Sequence, residues 1–148
     1  MKIIEKIAFT YVVAVDEKST NSTFPTLLIC RQNLPYEQPI KILTGVFLST
    51  NQHVEYQSTI IISHISDEYN NKNEDIIHGT KKTHSSFKLN NNETYSEVSE
   101  LNIPAIKIDK EGLYKVKHIL NKTNEKNEKN EKNEIDTFEC YFYVLLSK

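Results

Sequence analysis

The side chains able to do chemistry are few and scattered. Five histidines stand at His53, His64, His78, His84 and His118. Zinc sites usually bring two histidines close in sequence, four apart on a helix or two apart on a strand. The nearest approach here is His78 and His84, six apart, with Asp67, Glu68, Glu74 and Asp75 upstream. These two are the only metal-ligand candidates, and a polar solvent-facing loop explains them as well. His64 beside an isoleucine run and His118 among apolar neighbours read as hydrogen-bonded structural histidines. A general base needs a nucleophile and an orienting acid within reach, and no motif supplies them. Ser85 and Ser86 follow His84, but sequence neighbours do not make a triad.

Cys30 and Cys140 both sit inside apolar runs and read as buried thiols of a reducing compartment. Lys81, Lys82 and Lys88 with Phe87 form the best basic patch, but Glu93, Glu97 and Glu100 follow at once, which argues against nucleic acid. The formal net charge of -2 gives no global field to attract it either. Glycine is scarce: Gly45, Gly79 and Gly112 are the only three, none within thirty residues of another. Phosphate-cradling loops and nucleophile elbows need clustered glycines. The sequence therefore predicts no catalytic residues, no cofactor and no enzyme.

The elements that would position these residues are strands. Residues 3–15 alternate with both faces apolar, as in a covered strand. Residues 24–30, 40–48 and 54–65 give three more, with Gly45 marking a bulge or a close crossing. Pro35 and Pro39 make 31–39 a connection. Residues 66–100 read as loops with an edge strand. Pro104 demotes 101–108 to an edge. In 112–120, Tyr114, Val116, His118 and Leu120 share one face. In 137–146, Phe138, Cys140, Phe142, Val144 and Leu146 point inward. Tyr141, Tyr143 and Leu145 then face outward, where tyrosines favour interfaces by burying area at low entropy cost.

Between the last two strands, residues 121–136 contain Asn-Glu-Lys three times over. With no apolar stripe, this segment reads as a flexible, solvated, low-complexity hairpin loop. No segment has the length or apolarity of a membrane helix, and the start, broken by Glu5, Lys6 and Thr10, lacks a leader pattern. The expected setting is cytoplasmic. Heavy use of Asn, Lys and Ile points to a low-GC bacterium or its phage.

Seven or eight strands without an amphipathic helix predict one domain over 1–148: an all-β, two-layer antiparallel sandwich, immunoglobulin-like or jelly-roll-like Greek key. Gly112-Leu113-Tyr114-Lys115-Val116 resembles the tyrosine corner of such sandwiches, although Lys110 stands where an acidic residue is usual. The order of features resembles small bacterial Greek-key sandwich proteins: a first strand leading into Val15-Asp16, a Pro-containing edge, a Gly-x-Tyr strand and an aromatic last strand. That resemblance implies a fold and no activity.

The function expected is a non-catalytic protein-binding module, such as an adaptor, inhibitor or assembly subunit. It would use Tyr141, Tyr143 and Leu145 against another protein, or a second copy through a sheet face or edge. The alternative is a small-ligand or carbohydrate-binding sandwich.

Overall fold

The computed structural model describes residues 3–16, 24–50, 54–66, 74–84, 93–124 and 133–147. Eight strands form: β1 (Lys6–Ala14), β2 (Leu28–Arg31), β3 (Tyr36–Ser49), β4 (Val54–Ile65), β5 (Glu74–His84), β6 (Thr94–Ile108), β7 (Gly112–Asn124) and β8 (Asn133–Leu146). There is no helix among the described residues, and so none long and apolar enough to cross a membrane. The strands build a three-stranded sheet, β1-β3-β6, facing a five-stranded sheet, β2-β8-β7-β4-β5. The pairing is antiparallel except where β2 runs parallel to β8. This order is immunoglobulin-like, with β3–β6 as the B–E pair and β4–β7–β8 as the C–F–G sheet.

Alternation sets the two inner faces. Ile40, Ile42, Val46 and Leu48 of β3 meet Tyr56, Ile60 and Ile62 of β4 and Tyr114, Val116 and Leu120 of β7, all buried. The core is divided. One apolar cluster holds Val12, Ile42, Ile62, Ile106, Tyr114 and Phe142. The other holds Ile7, Val46, Leu48, Tyr56 and Leu120. Between them lies a layer of buried polar residues: Thr10, Thr44, Ser58, His84 and His118.

Gly112 has φ 128°, a left-handed region that disfavours side chains. The Tyr114 hydroxyl donates to the Lys110 carbonyl at 2.7 Å, closing the corner before β7. The Tyr114 ring stacks on Phe142, centroids 5.2 Å apart, and His64 meets its edge. Gly45 carries a close crossing: a Cβ there would lie 2.3 Å from the Phe9 ring. The neighbouring bulge is in β1, between Ile7 and Phe9.

Several expectations need correction. The stretch 66–100 contains β5 and the first part of β6, because polar residues on an edge leave no apolar alternation to read. His78 and His84 both lie on β5, not in a loop. The strand expected over 24–30 shrinks to β2, with Phe24 and Leu27 exposed. Cys30 is exposed, and both cysteines are free. β7 and β8 extend into the expected loop 121–136, and 125–132 lies outside the described residues. So do His53, Asp67, Glu68, Ser85, Ser86, Phe87 and Lys88.

Candidate functional site

Three places in the described structure are candidates for chemistry or recognition. The first is the polar layer. Glu97 of β6 accepts from Nδ1 of His84 at 3.0 Å. A carboxylate only accepts, so Nδ1 carries the hydrogen. Nε2 of His84 lies 2.6 Å from the Ser58 hydroxyl, which lies 2.6 Å from Nε2 of His118. Nδ1 of His118 lies 2.7 Å from the Thr10 hydroxyl. With His118 neutral, one of its nitrogens donates and the other accepts, so Ser58 donates to one imidazole and accepts from the other. One hydrogen-bonded chain therefore runs Thr10–His118–Ser58–His84–Glu97. It starts on one sheet, crosses three strands of the other and returns.

The segment Ser58–His84–Glu97 has the connectivity of a nucleophile, base and orienting acid. A nucleophile must also be reached by its substrate. Ser58 is 4% exposed, in the middle of β4, and its oxygen is already engaged by His118. Burial, with the charge of His84 second, pushes His118 down to about 4, against a smaller upward pull from Asp136. His118 is thus held neutral at ordinary pH, with one ring nitrogen donating and the other accepting. The arrangement ties the two sheets together at a fixed register.

Of the metal candidates, His84 is buried in this chain while His78 lies six residues along the same strand. At about 3.4 Å per residue they stand roughly 20 Å apart, so they cannot share an ion. Among the described residues, no group of three His, Cys, Asp or Glu is placed to hold a metal. Burial raises the Cys140 thiol to about 11, which keeps it protonated and unreactive.

The second place is the outer face of the five-stranded sheet. Tyr141, Tyr143 and Leu145 of β8 point away from the core, as alternation with the buried Phe142 and Val144 requires. Register sets Leu28 beside Tyr143, and Cys30 beside Leu145. Leu28, Tyr141 and Leu145 are 53%, 42% and 41% exposed. On the β7 side Lys115 lies next to Tyr141 and is held by Glu74. The Tyr141 hydroxyl donates to Glu139 at 3.0 Å. The result is an apolar strip with a charge-paired flank. The outer face of the other sheet carries Phe9 stacked on Tyr11 at 5.8 Å, with Phe47 and Val98 exposed. Sequence reading missed that cluster; its signal was the glycine in β3 opposite a strand apolar on both faces.

The third place is a surface pocket of about 450 Å³ lined by Cys30, Arg31, Gln32, Asn33, Tyr36 and Ser147. Sequence reading treated this stretch only as a proline-bearing connection.

No protein-family model matches this chain, and no curated protein does. Seven chains among solved structures match. One is described as the crystal structure of the C-terminal domain of wzt. It shares 12% identity with this chain, covers 99% of it and 77% of its own length, and superposes with a TM-score of 0.56. At that identity the likeness establishes a shared β fold.

Proposed function

We propose that this domain is a non-catalytic protein-binding module whose partner docks on the outer face of β2, β8 and β7. The observation that carries the reading is the contiguity of Leu28, Tyr141, Tyr143 and Leu145, at adjacent register positions and turned to solvent. Isolated exposed hydrophobic residues are ordinary on any surface, whereas a continuous strip marks an interface. Tyrosine anchors in such a strip each contribute about 2 kcal/mol or more when they sit at the centre of a contact. Lys115 is already neutralised by Glu74 and Glu139. The partner is therefore selected by an apolar ridge rather than by net charge. A second copy of the chain is one form such a partner takes.

Leu145→Lys is the test, because the residue is exposed and the change should shift stability by no more than about 0.5 kcal/mol. Affinity capture from host extract should recover a partner with the native chain and with a Val98→Lys control on the opposite sheet. Leu145→Lys should lose it, and sedimentation should show whether that partner is another copy. Identical recovery by all three chains would remove the reading.

A small-ligand reading is favoured by the pocket beside Arg31, which shares none of the strip residues named here.

A further inference from the structure

We infer that the pocket between the end of β2, the turn at 32–35 and residue 147 is a binding site for a small hydroxylated carboxylate, of the size of one hexuronate unit. The inference is separate from the sheet-face reading and uses different side chains.

Arg31 supplies the charge. Its guanidinium lies over the Tyr36 ring, 4.5 Å from the centroid. Nη1 donates to the Cys30 carbonyl at 2.9 Å, and Nη2 donates to Oε1 of Gln38. Both acceptors are neutral. No carboxylate among the described residues pairs with Arg31, unlike Lys41, Lys110, Lys115 and Lys122, each of which has one. Five N–H groups are available on a guanidinium. Two are used, and Nε is buried with no partner. The cation is thus positioned but not neutralised.

Its position is built from the inside. Gln38 is completely buried. Its amide nitrogen donates to the carbonyls of Val15 and Pro39 at 3.1 and 2.7 Å, which turns its oxygen toward Arg31. The backbone of the arginine is fixed as well: its carbonyl accepts from the Ser147 amide at 2.8 Å and from the Ser147 hydroxyl at 3.2 Å. A guanidinium anchored in this way keeps one N–H on each of Nη1 and Nη2 for an external carboxylate, at little further entropy cost.

The rest of the lining sets the body of the ligand. The amides of Gln32 and Asn33 offer donors and acceptors, and the Ser147 hydroxyl, whose hydrogen goes to the Arg31 carbonyl, offers an acceptor, as sugar-like hydroxyls require. The volume of about 450 Å³ falls within the range of small-molecule sites. A bare inorganic anion or an apolar acid would leave those exposed amides to water, with no contribution from them to binding.

Titration of the 15N-labelled full chain with D-glucuronate, D-glucose and acetate tests the site. Glucuronate should shift the amides of residues 31–33 and 147 with a Kd on the order of 1 mM. Glucose, which lacks the carboxylate, and acetate, which lacks the hydroxyls, should each bind at least about tenfold more weakly. Arg31→Gln should lose at least about tenfold in glucuronate affinity. Should that variant fail to fold, Asn33→Trp fills the pocket from an exposed position and should abolish the shifts with Arg31 in place. The inference is overturned by any of three results: no saturable shift at tens of millimolar glucuronate, equal affinity for glucose or acetate, or unchanged binding in Asn33→Trp. Tyr141→Ala, which adds no charge beside Cys30, should weaken sheet-face docking and bind glucuronate normally, so loss of sheet-face docking and loss of this site are separable.

Discussion

His118 shows what a single buried imidazole costs a fold and how the cost is met. It has no exposed surface and stays neutral, with both nitrogens engaged by Thr10 and Ser58. The unfolded chain takes up a proton on this residue below about pH 6.5, whereas the folded protein resists until about 4. Stability from this residue is therefore full above about pH 6.5 and declines as the pH falls toward 4. The total is roughly 3 kcal/mol. Urea midpoints measured across that range should fall more steeply for the native chain than for His118→Leu. Parallel profiles would show that another group controls the acid side. Nothing in the sequence marks this residue as special beyond its place in an apolar alternation. Its partners are 60 and 108 positions away.

At the scale of elements, β1 and β3 illustrate a fit that neither strand dictates alone. Phe9 lies across the backbone of Gly45, where a methyl group would overlap its ring. Gly45→Ala should cost about 1–3 kcal/mol, because the phenyl ring must leave its rotamer or the strands must shift. The Phe9→Ala background should abolish most of that cost. Chemical denaturation of the two single variants and the double variant gives the coupling directly. Additive effects would mean that Gly45 serves some other need. The alternation in β3, β4, β7 and β8 was legible because their inner faces are apolar and their outer faces mixed. β5 was not, since its inward positions are His78, Thr80, Lys82 and His84. Of these, Lys82 and His84 pair with Glu97 of β6, and His84 also bonds Ser58 of β4, so they contribute polar contacts where other strands contribute apolar packing. A period-two signal in hydrophobicity cannot register such a strand.

Across the whole molecule the polar layer joins the two sheets through five side chains. Ser58 is the link on which the others depend, since it accepts from one imidazole and donates to the other. Ser58→Ala should leave two buried imidazole nitrogens unpaired, at about 1–3 kcal/mol each. We expect a loss of about 2–4 kcal/mol in equilibrium unfolding, well above the usual effect of a serine truncation. A loss under about 1 kcal/mol would show that the chain is not a structural tie. The same view explains why the recognition candidates lie outside the sandwich. Among the described residues, the inward side chains form two apolar clusters and this layer, and the recognition candidates are side chains of the outer sheet faces and of the strand-end pocket.

The sequence alone determined the sandwich architecture, the inward faces of its most apolar strands and the outward direction of Tyr141, Tyr143 and Leu145. These follow from local alternation, which the pleat of a strand converts directly into faces. The Gly112–Tyr114 spacing also proved local, since the tyrosine hydroxyl reaches a carbonyl only four residues back. Only the tertiary structure decided the His118–Ser58–His84 chain, the seat of Phe9 on Gly45 and the Arg31 pocket. Each joins residues from strands or turns whose adjacency depends on sheet order, and sheet order is a property of the packed molecule that no short stretch of sequence encodes.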